Sequence, residues 1–504
     1  MFSPVTMSRI TRPSEESRRD ITFQPGPINK VPPEIVSEIF KFAVLSSEEA
    51  RSHGVKALCL VDQDWNHIAK GTSDLWTKIT FTYPLHADQL SAARKWLKTS
   101  EQKPIDVEID LCDPGWDELG MEAFHLLEDL APIQDMTAAL RGSEHRWRSI
   151  SIRSDTWRPI YEFLQAWEIP SLPLLETISL ERGNEVMGVG YIREDPLPSL
   201  GSLTLFGSNG TLMPKLREVS LIAVHVDWAL AANSFRDLRK LEIKNQHHRV
   251  GPTSEQFATL LAATPRLEML DVAGYCPDHG APPTQVRIPP VHLPALKHFG
   301  LGWSCFDCAC DLLMVLQIPE SLESLSLNDT ESGLGARQDE ETDLFTYNDD
   351  STPIFELLTG LEPAGPGNKD PSSPWISILG LKTLSVSWAE SDHPAVLAFL
   401  ENAPMIEEIR LTDVSQGVLE GIAALVETHG PRSLKKLYIQ WIWNDGYESP
   451  EAHLVIDLLG NHGFQVTVEK FTGPDGGLTP MALEALLNGE GGERGPRSTR
   501  LSPV

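Results

Sequence analysis

From Leu175 onward the apolar residues fall into one short frame, apolar-x-x-apolar-x-apolar, often preceded by proline. It occurs as LETISL from Leu175, LGSLTL from Leu200, LREVSL from Leu216, LRKLEI from Leu238 and LEMLDV from Leu267. It continues as LKHFGL from Leu296, LESLSL from Leu322, LKTLSV from Leu381, IEEIRL from Ile406 and LKKLYI from Leu434. Every copy ends in strict alternation, the mark of a strand with one buried face. The fourth and sixth residues are therefore expected to point inward, and the third, fifth and seventh outward. Upstream, Trp76-x-x-Ile79-x-Phe81 and Trp147-x-x-Ile150-x-Ile152 fit the same frame, and Ile105, Val107, Ile109 and Leu111 alternate in PIDVEIDL (104–111). Between copies lie runs with apolar residues at three- and four-residue steps: LSAARKWLKTS (90–100), SEQFATLLAAT (254–264), HPAVLAFLENA (393–403) and SQGVLEGIAALVETHG (415–430). These predict return helices, so each coil should be a strand and a helix, stacked into a parallel sheet covered on one face.

Most copies are 22 to 29 residues apart; the exceptions are 16 after Leu200 and 59 between Leu322 and Leu381, the latter read as about two repeats. Frame and period resemble leucine-rich repeats, although the asparagine or cysteine expected after the second leucine is mostly missing. The resemblance implies an α/β fold in which an irregular leucine-rich-repeat solenoid with a curved parallel sheet occupies 84–472. Acidic 328–353 and Pro/Gly-rich 362–375 are expected to be disordered insertions. The polar, Pro/Gly-rich ends 1–27 and 473–504 are expected to be disordered tails.

Residues 28–83 follow a different pattern, that of a small all-helical module. Pro32 and Pro33 suit a helix start, Glu34 suits its positive end, and Ile35, Ile39 and Phe42 or Ala43 fall on one face. A second amphipathic run carries Leu58, Val61, Trp65, Ile68 and Ala69, and AVLSSEEARSHGVK (43–56) reads as a long region between the two helices. Val31-Pro32-Pro33-Glu34-Ile35 with Ile39-Phe40, then Leu60-Val61, Trp65 and Leu75-Trp76, resembles the F-box motif. That family's pattern is a leucine-proline-x-glutamate opening, a valine-x-x-x-tryptophan middle and a closing leucine-tryptophan.

The F-box resemblance implies a substrate-recognition subunit of an SCF-type cullin-RING ubiquitin ligase. Its helical module docks on the SCF adaptor, and through it on a cullin, while the repeats hold an unknown protein substrate. Carried over by position, Pro32, Ile35, Ile39, Leu60, Val61, Trp65 and Trp76 are the adaptor-binding or module-core residues. Val31 replaces the usual leucine, and Asp62 and Asp64 stand in a stretch that is commonly polar or basic. The alternative is a non-catalytic repeat scaffold whose F-box-like segment only caps the first coil.

Composition narrows the partners. In 504 residues, 42 Lys+Arg against 71 Asp+Glu leave a formal charge of −29, which repels nucleic acid and anionic lipid. No apolar stretch approaches the roughly 20 residues of a membrane span, and the first residues lack a signal-peptide core, so a cytoplasmic or nuclear location is expected. Six cysteines agree with a reducing compartment, and the Asn209 and Asn328 sequons are then chance matches. No GxxxxGK[ST], HExxH, GxSxG or strand-following GxGxxG is present, so an enzyme is not expected, nor any cofactor. Cys305, Cys308 and Cys310, with Cys276 and His279 upstream, form the tightest set of possible ligands; packed thiols are the expectation rather than a metal site. His247, His248, His292 and His298 lack a carboxylate frame and are expected to be solvated or packing residues.

The outward positions spell out the open sheet face, where a substrate is expected to bind. Early copies present Thr177, Ser179 and Glu181, then Ser202, Thr204 and Phe206. Later ones present Lys240, Glu242 and Lys244, then Glu408, Arg410 and Thr412, then Lys436, Tyr438 and Gln440. Arg410, Lys436, Tyr438 and Gln440 combine cationic and aromatic character and are the candidate substrate-binding residues, suited to an acidic or phosphorylated segment. Trp441 and Trp443 are expected to be exposed just past the final strand.

Overall fold

The computed structural model describes residues 31–46, 48–113, 131–183, 205–206, 211–246, 251–274, 289–303, 306–318, 320–329, 351–359, 376–429, 433–441 and 465–470. The chain divides into two compact units, one comprising residues up to Lys78 with Thr99–Glu101, the other the remainder. Both expected tails, His247, His248, Cys276, His279, Cys305, Asn209 and Trp443 lie outside the described residues.

The first unit is built from α1 (Pro33–Leu45), α2 (Glu48–Val61), α3 (Gln63–Gly71) and a 3-10 turn, Ser73–Trp76. Here the structure corrects two expectations. Residues 43–56 are not a long connection, because α1 runs to Leu45 and α2 starts at Glu48. The second amphipathic run is two helices: Asp62 stops the first and caps the next, its carboxylate accepting the Trp65 N–H at 2.7 Å. The buried face of α1 is Val36, Phe40 and Val44, not Ile35, Ile39 and Phe42. Helical steps of three and four residues describe both sets, and only packing selects the inner one. Phe40 meets Trp65 at 4.8 Å between ring centroids, Val44 fills the space over Gly54, and Trp76 donates its indole N–H to the carbonyl of Ala69 at 2.8 Å.

The second unit is a repeat array of strand and return helix. In chain order its elements are β1 (Lys78–Thr82, which starts at the last residue of the first unit), α4 (Ala87–Thr99), β2 (Ile105–Asp110), α5 (Ala131–Leu140), β3 (Trp147–Ser154), α6 (Trp157–Gln165), β4 (Thr177–Arg182) and β5 (Glu218–Ile222). There follow α7 (Trp228–Ser234), β6 (Lys240–Lys244), α8 (Ser254–Ala262), β7 (Met269–Ala273), β8 (Val291–His292), β9 (His298–Trp303), α9 (Phe306–Val315), β10 (Leu316–Gln317) and β11 (Ser324–Asp329). The last are α10 (Thr352–Thr359), β12 (Thr383–Ser387), α11 (His393–Glu401), β13 (Glu408–Thr412), α12 (Gln416–His429), β14 (Lys436–Trp441) and β15 (Gln465–Lys470). Among the described residues one 13-stranded sheet runs in sequence order, skipping only β8 and β10, which pair with each other. From β2 onward its neighbours are parallel.

The fourth-position residues of the frame stand in register across this sheet: Ile178, Val219, Leu241, Leu270, Phe299, Leu325, Leu384, Ile409 and Leu437 form one buried row. Burying each side chain stabilises by about 1.5–3 kcal/mol, and a one-residue slip would turn the row out to solvent. A second device closes each coil. Ala223, Asn245, Gly274, Trp388 and Asp413, each following its strand, adopt positive φ of 43–56°. Their N–H groups continue the ladder into the next strand, as from Ala223 to the Lys244 carbonyl and from Asp413 to that of Gln440.

Five expectations about the array are corrected. Among the described residues no strand stands between β4 and β5, which pair directly, where the LGSLTL copy was expected to supply one; most of that copy lies outside the described residues. Phe206 is consequently not on the sheet face but wholly buried against Trp147. The 59-residue interval is one coil rather than two, since β11 pairs directly with β12 and α10 is the helix described between them. The ends of the expected insertion 328–353 are ordered, since Asn328 and Asp329 belong to β11 and Thr352 begins α10; its middle and 362–375 lie outside the described residues. Nor is β14 the final strand, for β15 pairs with it and Trp441 is a strand residue.

Return helices pack on one another through small residues. On α12, a Cβ at Gly417 would lie 2.1 Å from the backbone oxygen of Ser391, and one at Gly421 2.7 Å from Val396. Alanine at Gly417 would gain about 1 kcal/mol of helix propensity, but it would force backbone apart. Gly417→Ala is therefore expected to destabilise by about 1–3 kcal/mol in urea unfolding; an unchanged midpoint would show that the α11–α12 contact yields freely.

Candidate functional site

The residues expected to dock an adaptor separate into two groups. Trp76 is buried and Trp65 half-buried, through the hydrogen-bond and ring contacts above, and the Pro32 carbonyl starts α1 by accepting the N–H groups of Ile35 and Val36 at 3.0 and 3.1 Å. Ile35, Ile39, Leu60 and Val61 instead are exposed by 52%, 46%, 85% and 57%. Phe42, 80% exposed, shares the outer face of α1 with Ile35 and Ile39. Phe42 was not among the expected docking residues, although its helical spacing from Ile39 was the available signal. A helix apolar on two faces is one that expects cover on both, and among the described residues of this unit only the inner face has it. Ser37 and Thr72 hydroxyls, 2.8 Å apart, and Lys41, 3.3 Å from Asp74, fix α1 against the turn that follows α3.

On the sheet, the expected substrate residues come together. Arg410 and Tyr438 are register partners on β13 and β14, with the guanidinium carbon 5.5 Å from the ring centroid. Gln440 lies opposite Thr412 on one side and Glu469 on the other. The expected cationic character is reduced, because Glu408 holds Arg410 at 2.7 Å and Lys436 at 3.5 Å. This surface is polar and aromatic rather than basic.

The middle of the sheet carries a tighter cluster. Lys244 Nζ lies 2.8 Å from Glu242 and 2.9 Å from Asp271, and Ser220 donates to the other Glu242 oxygen at 2.8 Å. Asp271 has room because its register partner is Gly300, where a Cβ would sit 2.4 Å from the carboxylate oxygen. Burial alone would lower the Lys244 pKa, but the two carboxylates hold it above the ordinary lysine value. Burial alone would raise that of Glu242, but Lys244, Ser220 and Lys240 hold it below the ordinary carboxylate value. Lys244 is thus locked in its charged form, the opposite of a nucleophilic lysine.

A second cluster lies at the ends of β2 and β3, where the Asp155 carboxylate accepts the Asp113 N–H at 2.7 Å. Burial, with the charges of Asp155 and Asp110, pushes the Cys112 thiol far above its usual range, and burial also raises the Asp155 pKa. Cys112 is therefore a protonated, unreactive thiol. Among the described residues no three His, Cys, Asp or Glu side chains gather as a metal site. His292 and His298 are exposed. A described cavity is lined by apolar side chains alone, among them Leu400, Pro404 and Leu425, and offers no acid or base. No described helix is long and apolar enough to cross a membrane.

No protein-family model matches this sequence, and no curated protein does. Among solved structures, one match is the crystal structure of the Rad7 and Elc1 complex in yeast, 13% identical, covering 82% of this chain and 88% of that chain with a TM-score of 0.33.

Proposed function

We propose that this chain is a non-catalytic interaction protein that recruits substrates to an SCF-type cullin-RING ubiquitin ligase, binding the SCF adaptor through its N-terminal helices and a protein substrate through its repeat sheet. One observation carries the reading: α1 has a second, outward apolar face, Ile35, Ile39 and Phe42, within the segment that resembles an F-box. Exposed apolar surface of this kind marks a partner site. A substrate would lie on the open sheet face, with Arg410 and Tyr438 as its aromatic and cationic anchor and Lys436 and Gln440 beside them. No cofactor is required, and a cytoplasmic or nuclear setting follows from the adaptor.

Copurification with the adaptor tests this. Wild-type protein should capture it, and Ile39→Asp should reduce capture by about tenfold or more. Because Ile39 is already 46% exposed, its melting transition should move by no more than about 0.5 kcal/mol. Absence of wild-type capture, or capture that survives Ile39→Asp and Ile35→Asp together, would remove the ligase reading.

A further inference from the structure

Where each strand begins, the second residue of the frame forms a rung of a backbone ladder: its carbonyl accepts the N–H of the corresponding residue in the next coil at 2.7–2.9 Å. In order the rungs are Arg148, Glu176, Arg217, Arg239, Glu268, Lys297, Glu323, Lys382, Glu407 and Lys435. The signs alternate at every step but one. Neighbouring strands are about 4.8 Å apart, so opposite charges meet: Lys435 lies 2.7 Å from Glu407, Lys382 3.3 Å from Glu323, and Glu268 takes Lys297 at 3.7 Å and Arg239 at 3.9 Å. Arg148 is held by Asp106 and feels Glu176. The exception is Arg217 beside Arg239, joined through the Arg239 N–H and the Arg217 carbonyl at 2.7 Å.

Like charges directly across a strand pair are unfavourable, and the flanking rungs Glu176 and Glu268 relieve this pair only in part. Arg217 donates only to the carbonyl of Leu216 at 2.9 Å and, among the described residues, makes no ion pair. The Arg239 side chain is 65% exposed, with its one carboxylate at 3.9 Å shared with Lys297. The preceding turns add exposed Lys215 and Arg266. In a chain of formal charge −29, Lys215, Arg217, Arg239 and Arg266 gather along this edge of β5 to β7, with Glu176, Glu218 and Glu268 beside them. Two guanidinium forks one strand apart match a carboxylate that bridges them, and the cations spread along the stacking direction suit a segment crossing the strands.

We infer that the β5–β6 edge at Arg217 and Arg239 is a docking site for a carboxylate-rich segment of a partner protein. It is separate from the outer face of α1 and from the Arg410–Tyr438 surface, and protein carrying Ile39→Asp should retain it.

Fluorescence anisotropy with a labelled peptide of alternating aspartate and glutamate, titrated with the full chain at low salt and at about 0.15 M, reads the site directly. Wild type should bind, more weakly at the higher salt. Arg217→Gln with Arg239→Gln should weaken binding by about tenfold or more, whereas Lys435→Gln, a rung already paired with Glu407, should leave it within about twofold. Arg217→Gln alone should keep or raise the melting temperature, because it removes the like-charge step. The inference is overturned by no wild-type binding, by equal losses in the two rung variants, or by a melting temperature that drops with Arg217→Gln. It is also overturned if a phosphoserine version of the peptide binds far more tightly, or if binding appears only after the chain's own acidic residues 339–343 are neutralised.

Discussion

Trp147→Ala should destabilise the repeat array by about 3–5 kcal/mol, the range for deleting a fully buried aromatic side chain. Trp147 begins β3 with no exposed surface, sets its ring edge-on to Trp167 at 5.1 Å, and meets Phe206 at 6.1 Å. Its indole N–H donates to the Ser143 hydroxyl at 3.1 Å, and alanine would remove that bond while the hydroxyl keeps its own to the Leu140 carbonyl. Phe206 lies between β4 and β5 in sequence, and Trp147 is a surface on which its ring packs. Urea unfolding should show the loss, with Trp147→Phe costing less because it retains much of the ring contact. A shift below about 1 kcal/mol for Trp147→Ala would mean that this layer repacks freely.

Lys244→Met should cost about 3–5 kcal/mol at neutral pH, because it leaves two largely buried carboxylates without their cation. The Lys244, Glu242 and Asp271 side chains are 18%, 13% and 23% exposed, so solvent screens the loss only in part. The pH dependence has a definite sign. Glu242 titrates below its ordinary value of 4.5 when folded, so its stabilising effect is present above that value and is lost as pH falls through the lowered one. In the variant Glu242 loses the Lys244 charge that lowers its pKa, so it takes up a proton more readily, and once neutral it no longer needs Lys244. The gap between wild type and variant should therefore narrow on acidification, and adding Glu242→Gln with Asp271→Asn should restore much of the stability at pH 7. A gap independent of pH would show that packing of the lysine stem, not its charge, holds the cluster.

Much of the array is legible in the sequence because its signal is local and repeated. Leu267, Leu270 and Val272 lie within six residues, and nine of the ten counted copies supply a sheet strand. The tenth, from Leu200, has the same local pattern and a different outcome. Its strand would have to share one 41-residue interval between Leu175 and Leu216 with a return element on each side, and the ladder closes past it instead. On α1 the difficulty is of another kind. Ile35, Ile39 and Phe42 have helical spacing, and so do Val36, Phe40 and Val44; the inward set is chosen by Trp65 and Gly54, which arrive from other helices.

The candidate sites divide along the same line. Arg410 and Tyr438 are 28 residues apart in sequence, and the period placed them side by side before any coordinates did. That Glu408 would neutralise Arg410 and Lys436 together depends on side-chain reach across the strand pair. The Arg217–Arg239 step was likewise present at position two of consecutive frames, yet it stands out only once the rungs are seen to stack in one unbroken line. Sequence alone thus determined the repeat unit, its inward residues and the helical nature of the N-terminal module, because periodic burial is written into residue spacing. Only the tertiary structure decided which copies become strands, which face of α1 is left outward and which charges find partners, because each depends on contacts between segments far apart in the chain.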